Sequence, residues 1–273
     1  MESYGLTHPD AVVLARTGLA REIRVMTRLC KLAFLSAVLL GGSIAALAQA
    51  PVPVAQMSDS PCPPPAPARD FAGTCHYKSE NAAILKGAHP TAIFMGDSIT
   101  EGWREGDPSL FNHAVLDRGI SGQTSPQMLV RFYQDVVALH PQAVHIMAGT
   151  NDVAGNTGPS SPEDFKNNIR AMVDLAKANH IRVIVASIPP AERFPWRLDV
   201  QPVEQIRQLN AWLRQFADQR KLIYADYYSL LTTASGAVRP ELSSDGAHPN
   251  SDGYAAMRPI ADAALRKAMH GSP

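Results

Sequence analysis

The chain has 273 residues, 45% of them hydrophobic, and carries 25 basic and 25 acidic side chains, so its formal net charge is zero. This length accommodates one large α/β domain or two small ones, and the hydrophobic content is sufficient for a sizeable core. A neutral chain without a run of basic residues interleaved with aromatics is poorly suited to a polyanion, so we expect no nucleic-acid partner.

The N-terminal region has the pattern of an export signal. Arg28 and Lys31 form a short basic region, residues 32–48 are uncharged and mostly apolar, and Ala48-Gln49-Ala50 fits the small-x-small site that signal peptidase accepts. An uncleaved membrane anchor is the alternative, but about 17 apolar residues are marginal for a hydrocarbon core of ~30 Å. We therefore predict export to the periplasm or beyond, with no stable anchor after cleavage and with Met26 as the true start.

Composition divides the chain into segments. The predicted segments are an upstream extension over 1–25, a signal peptide over 26–50, a proline-rich linker over 51–69 and a folded domain over 70–273. Cys62 and Cys75 would remain after cleavage, and in an exported protein they favour one disulfide over two free thiols. A monomer is the default for a neutral exported enzyme of this size.

Within the folded domain, short apolar runs alternate with helical patterns. The predicted strands cover residues 91–96, 114–119, 143–149, 181–188 and 221–226, and the predicted helices start near Ser125, Ser161, Val203 and Tyr254. Continuous apolar strands suit a sheet that is covered on both faces. Strand–helix alternation predicts crossover units, and therefore a parallel sheet between two helical layers, with ligands bound beyond the carboxyl ends of the strands.

Four segments at strand ends or in loops carry the reactive side chains. They read GDSITEG (96–102), RGISGQT (118–124), GTND (149–152) and DGAHP (245–249). Each segment alone is a weak signal, and Ser98 alone reads as a turn residue or a helix cap. Their combination is more specific because the four together supply every part that acyl transfer needs.

The parts have distinct predicted roles. Ser98 is a poor nucleophile until a base takes its proton, and His248 can be that base because imidazole titrates near neutrality. Asp245, three residues earlier, can fix the tautomer of His248 and stabilise the imidazolium. The backbone N–H groups of Ser98 and Gly122 and the side-chain amide of Asn151 are candidate donors to an oxyanion.

In these residues the sequence resembles the SGNH hydrolases, also called GDSL esterases/lipases, and most of all the bacterial branch similar to platelet-activating-factor acetylhydrolase-like esterases. The matching positions are Ser98, Gly122, Asn151, Asp245 and His248, with Ile99 where the GDSL name has leucine. The resemblance spans residues 91–270. It implies a three-layer α/β/α fold with a five-stranded parallel sheet, and ester hydrolysis through an acyl-enzyme without a metal or other cofactor.

Other candidates are weighed against structural roles. We expect Asp97 to support the site by accepting backbone N–H bonds around Ser98. Trp103 is expected to pack, and His145 reads as a packed histidine because it lies inside an apparent strand. Ser121 is a possible rival nucleophile, although its neighbour Gly122 fits the donor role better.

The sequence says least about the substrate. Residues 188–202 follow a strand and should overhang the site, with Arg193, Phe194, Trp196 and Arg197 available to a substrate, or they form an ordinary connector. No long apolar lid is evident, which favours a short acyl group on a carbohydrate or a similar small alcohol. A lysophospholipase or thioesterase activity, or a catalytically silent binding module, is the alternative.

Overall fold

The domain is built around a parallel sheet, as the sequence predicts. The computed structural model describes residues 70–87, 89–112 and 114–270. Within them the strands are β1 (Ala92–Gly96), β2 (Val115–Gly119), β3 (Ala143–Ile146), β4 (Arg182–Ala186) and β5 (Ile223–Ala225). Their order is β2-β1-β3-β4-β5 and every neighbouring pair is parallel. The five predicted strands are thus confirmed, although β3 and β4 end earlier than their apolar runs.

Helices connect the strands. They are α1 (Lys78–Ile84), α2 (Ser98–Gly106), α3 (Ser125–Asp135), α4 (Thr150–Ala154), α5 (Pro162–Ala178), α6 (Val203–Arg220), α7 (Tyr227–Leu231) and α8 (Ser251–His270), with 3₁₀ turns at Val137–Leu139 and Pro240–Leu242. Ser161 and Asp164 form a capping box at α5. α3 begins at Ser125, as predicted, and its cap is Thr124. In residues 70–87, 89–112 and 114–270, no helix is both long and apolar enough to cross a bilayer.

The predicted extension, signal peptide and linker lie outside the described residues, and so does Cys62. Cys75 is disulfide-bonded. Its pairing with Cys62, the cleaved signal and the export that depends on it stay predictions.

Two helical layers cover the sheet because alternate strand residues face opposite sides. Ile93 and Met95 of β1 belong to one hydrophobic cluster, which includes apolar residues of α3, α5 and α6. Ala92 and Phe94 belong to the other, which includes residues of α2, α7 and α8. The sheet is therefore buried on both faces, which explains why its strands read as continuous apolar runs.

Buried polar side chains join the carboxyl ends of β1 and β2. The fully buried guanidinium of Arg131 donates from Nη2 to the carbonyl oxygens of Gly96 (3.0 Å) and Arg118 (2.9 Å), and from Nε to Gln123 Oε1 (2.6 Å). Its Nη1 pairs with the equally buried Asp135 at 3.1 Å. One cation thus fixes the last residue of β1 relative to β2 and to the loop that follows it.

Replacing Arg131 by Met should cost about 3–5 kcal/mol of unfolding free energy, because it leaves the Asp135 carboxylate buried without its cation. Urea denaturation measures this change. The matched control is Arg170→Met, which removes an exposed pair with Glu163 and should cost less than about 1 kcal/mol. An equal loss of unfolding free energy in the two variants would show that Arg131 does not stabilise the fold through its buried contacts.

Candidate active site

Ser98 lies where β1 turns into α2. β1 ends at Gly96, Asp97 is the N-cap of α2, and its Oδ1 accepts the backbone N–H of Ile99 at 3.0 Å. Ser98 is consequently the first residue of the helix, where a backbone N–H has no intrahelical acceptor. The strand end, the helix cap and the partly buried Ser98 hydroxyl therefore form one local structure, which the Asp97 cap stabilises.

The turn is close to β2 because residue 119 is glycine. A Cβ atom there would overlap the backbone nitrogen of Glu101 and crowd the carbonyl of Asp97. Any larger residue would push α2 away from β2. Gly119 thus lets the hydroxyl of Ser98 approach the loop that carries Gly122.

The structure brings Ser98, His248 and Asp245 into one hydrogen-bonded chain. Ser98 Oγ lies 2.9 Å from His248 Nε2, although 150 residues separate them, and His248 Nδ1 lies 2.7 Å from Asp245 Oδ2. A carboxylate only accepts, so Nδ1 carries the proton and Nε2 is free to accept from the serine. The imidazole is thus held in the tautomer of a general base.

Asp245 is held ionised by its surroundings. Its Oδ1 accepts the backbone N–H groups of Ala247 (2.9 Å) and His248 (2.8 Å), which folds residues 245–248 into a tight turn. Partial burial raises the pKa of Asp245, but these bonds and the bond from the His248 ring outweigh it and lower the pKa below its usual value. The imidazole therefore faces a negative charge.

Gly122 and Asn151 lie beyond the ends of the neighbouring strands. Gly122 is exposed, with a φ of 76° that favours glycine, and within the part of the chain that the structure describes its N–H has no hydrogen-bond acceptor. Asn151 is buried at the start of α4, and its Nδ2 donates to the carbonyl of Gln123 (3.0 Å) and to Asp97 Oδ2 (3.2 Å). Asn151 therefore contacts Asp97, the residue before Ser98, and the carbonyl of Gln123, the residue after Gly122.

Sequence reasoning missed Asn156. Its Nδ2 donates to Asn151 Oδ1 at 2.7 Å and contacts the carbonyl of Gly122 at 3.3 Å. Its Oδ1 accepts from the indole N–H of Trp196 at 3.1 Å. No sequence signal marks this asparagine, because its partners Asn151, Gly122 and Trp196 come from three separate segments of the chain.

Residues 188–202 do overhang the site. The ring of Trp196, 38% exposed, lies 5.4 Å from the His248 ring and stacks on Phe194 at 5.1 Å. Phe194 is fully buried and so cannot meet a substrate, contrary to expectation. Arg197 is tied to Asp199 and to the carbonyl of Ala154.

His145 and Trp103 are packing residues, as predicted. His145 is buried, stacks on Phe94 at 4.3 Å and contacts the Tyr227 hydroxyl at 3.0 Å, and burial lowers its pKa to about 3. Trp103 is fully buried against Phe94 and Tyr254. Neither reaches the hydroxyl of Ser98.

Two carboxyl groups lie buried beside the nucleophile turn. Burial raises the pKa of Asp97 to about 6 and that of Asp117, in β2, to about 7. Asp117 Oδ1 accepts the N–H of Gly119 at 2.7 Å, which limits the increase. Near neutral pH this part of the molecule therefore carries unfavourable negative charge.

Comparison with known proteins identifies the family. The model of the GDSL-like Lipase/Acylhydrolase family matches residues 94–256. The chain therefore belongs to that family, whose members are carboxylic ester hydrolases. The family and the enzyme class predicted from the sequence are confirmed.

Individual relatives agree. The chain is 41% identical to a GDSL-like lipase from Bacteroides thetaiotaomicron VPI-5482, with a TM-score of 0.69 over 72% of this chain and 99% of that one. It is 28% identical over 159 residues to the isoamyl acetate-hydrolyzing esterase of Saccharomyces cerevisiae (strain ATCC 204508 / S288c), a match that covers 51% of this chain and 63% of the relative. An acetylxylan esterase from Geobacillus stearothermophilus shares the fold, with 20% identity and a TM-score of 0.52 over 66% of this chain and 95% of that one.

Asp117→Asn should change how stability depends on pH. Because the folded pKa is raised from 3.8 to about 7, the native state binds more protons than the unfolded state in that interval. Wild-type stability therefore falls as pH rises through it, relative to a variant that cannot ionise. The stability advantage of Asp117→Asn should grow by up to ~1.4 kcal/mol per pH unit between about pH 4 and 7, then level off.

Urea denaturation at a series of pH values measures that advantage. The exposed Asp218→Asn is the matched control, since its carboxylate stays in solvent. An advantage of Asp117→Asn that does not change with pH would contradict the burial argument.

Proposed function

We propose that the chain is a serine esterase that hydrolyses carboxylic esters with short acyl groups through an acyl-enzyme. The observation that carries the proposal is the continuous chain from Ser98 Oγ through His248 to Asp245, with separations of 2.9 and 2.7 Å. These are distances at which a proton transfers directly.

In the proposed reaction, His248 Nε2 takes the proton of Ser98 as Oγ attacks the ester carbonyl. The resulting oxyanion accepts hydrogen bonds from the N–H groups of Ser98 and Gly122 and from the amide of Asn151. The amide hydrogen that now points at Asp97 is the one we assign to the oxyanion, because its 3.2 Å contact is the weaker of the two.

The ester bond then breaks and the imidazolium gives its proton to the departing alkoxide, which leaves as the alcohol. A water molecule repeats the sequence: His248 removes its proton, the hydroxide oxygen attacks the acyl carbon, and the proton returns to Ser98 Oγ as the carboxylic acid leaves. Asp245 stays ionised throughout and stabilises the imidazolium.

The alcohol must depart on the His248 side, since the imidazolium protonates it. The loop before His248 and residues 192–198 border a cleft of about 980 Å³. Its polar lining consists of Glu192, Arg193, Thr233, Ser235, Ser243, Ser244 and Asp245. Asp245 lines this cleft and neither Ser98 nor His248 does, so we assign the cleft to the part of the alcohol beyond the ester bond.

The chemistry of this cleft supports a neutral, hydroxyl-rich alcohol. Two carboxylates, Glu192 and Asp245, outnumber the single guanidinium of Arg193, which disfavours an anionic headgroup. Serine and threonine hydroxyls both donate and accept, which suits a carbohydrate. The name of the yeast relative specifies an acetate ester, which supports a short acyl group.

Ser98→Ala and His248→Ala should each lower kcat on p-nitrophenyl acetate by at least about a thousandfold, because nucleophile and base act as one unit. The matched control is Ser121→Ala, which removes a nearby hydroxyl bonded to Glu101 and should keep most of the activity. An inactive wild type would favour a silent binding module. Full activity in Ser98→Ala would refute the mechanism.

Activity on p-nitrophenyl esters should fall from acetate to palmitate, and acetylated oligosaccharides should be better substrates than lysophosphatidylcholine. The physical reason is the set of hydroxyl groups and the excess negative charge that line the cleft on the leaving-group side. Initial rates over the ester series, and kcat/KM for the two natural-type substrates, measure this. Activity that rises with acyl chain length, or a preference for lysophosphatidylcholine, would contradict the carbohydrate esterase proposal and favour a lysophospholipase.

A further inference from the structure

The orientation of the Asn151 side chain matters, because an amide has a donor end and an acceptor end of similar shape. Only the Nδ2 end stabilises an oxyanion, whereas the Oδ1 end repels it. Some other group must therefore keep Nδ2 turned towards Ser98. This question rests on the proposed function, in which Asn151 is an oxyanion donor.

The indole of Trp196 fixes this orientation through Asn156. An indole N–H donates and never accepts, so Asn156 must turn its Oδ1 to Trp196, at 3.1 Å. That leaves Asn156 Nδ2 facing Asn151, 2.7 Å from Oδ1. Asn151 Oδ1 is thus held towards Asn156, while Nδ2 is held towards Asp97, the residue before Ser98.

The opposite end of Asn151 agrees with this assignment. Its Nδ2 faces the carbonyl of Gln123 (3.0 Å) and a carboxylate oxygen of Asp97 (3.2 Å), and Asp97 adjoins Ser98. The amide is held between a donor on one side and two acceptors on the other, so a flip would break every bond that it makes.

Asn156 also reaches the second proposed donor. Its Nδ2 lies 3.3 Å from the carbonyl of Gly122, so one amide group links the Gly122 loop to Asn151. Trp196 is fixed in turn by stacking on the buried ring of Phe194 at 5.1 Å. Asn156 itself is exposed, so the fold does not need it for its core.

We propose that Asn156 and Trp196 are positioning residues for the oxyanion site: Trp196 fixes the orientation of Asn156, and Asn156 fixes the orientation of Asn151 and its spacing from Gly122. They act on the transition states, because the oxyanion is absent from the bound ester and develops only on the way to the tetrahedral intermediate. Their loss should therefore lower kcat and leave KM nearly unchanged.

The discriminating variant is Asn156→Asp. It is nearly isosteric and still accepts from Trp196, but it presents an acceptor to Asn151 Oδ1 and favours the flipped amide. Asn156→Ala removes the contact without reversing it. If Asn156 positions Asn151, Asp should be the more harmful replacement, whereas a space-filling role predicts that Ala is worse.

The experiment measures kcat and KM on p-nitrophenyl acetate, inhibition by an alkyl boronic acid whose tetrahedral adduct with serine mimics the oxyanion, and the thermal midpoint. Asn156→Ala should lower kcat roughly tenfold, less than the ~10²–10³ expected for loss of a donor itself. Boronate affinity should weaken in parallel while the midpoint stays near that of wild type. Trp196→Phe should show a smaller loss of the same kind.

Trp212→Phe is the matched control, because Trp212 also stacks on a phenylalanine but belongs to α6. It should leave kcat and boronate affinity unchanged. Unchanged kcat in Asn156→Asp, or a rise in KM alone, would overturn the positioning role while an active, Ser98-dependent wild type left the esterase proposal intact. An inactive wild type would overturn both.

Discussion

The parallel pairing of β1 with β2 on one side and β3 on the other is the constraint on which the site depends. Parallel strands put their carboxyl ends at one edge of the sheet. In the order β2-β1-β3-β4-β5, β2 lies on one side of β1 and β3 on the other, so the strand order has its switch point at β1. Ser98, Gly122 and Asn151 follow β1, β2 and β3 respectively. Three candidate site residues that are distant in sequence therefore lie at the edge where such sheets bind ligands.

Pairing alone leaves the loops free, and buried polar groups remove that freedom. The Arg131 guanidinium takes the last carbonyl of β1 and a carbonyl of β2, while the Asp152 carboxylate accepts the N–H and hydroxyl of Ser125 at the start of α3. Burial of these groups is costly unless they are satisfied, which makes alternative loop arrangements unfavourable. Burial also raises the pKa of Asp97 and Asp117. Keeping these two carboxylates ionised inside the protein therefore lowers the free energy of unfolding.

His248 reaches Ser98 from the far end of the chain by a different route. The turn over 245–248 precedes α8, whose residues Tyr254 and Met257 are buried in the cluster that also holds Ile99 and Trp103 of α2. The Tyr254 hydroxyl also donates to the carbonyl of Ile99 at 2.9 Å. The packing of α8 against α2 thus sets the separation between the His248 ring and the Ser98 hydroxyl.

The sequence by itself determined the strands, the longer helices and the side chains of the candidate site, because continuous apolar runs, helix caps and four short motifs are local signals. It assigned Ser98 as the nucleophile only through the combination of the four motifs, and it offered Phe194 to a substrate although that ring is buried. Only the tertiary structure decided the tautomer of His248, the orientation of Asn151 and the contacts of Asn156. Those properties depend on hydrogen bonds between segments that are far apart in the chain. Local sequence patterns cannot predict which donor will face which acceptor in such bonds.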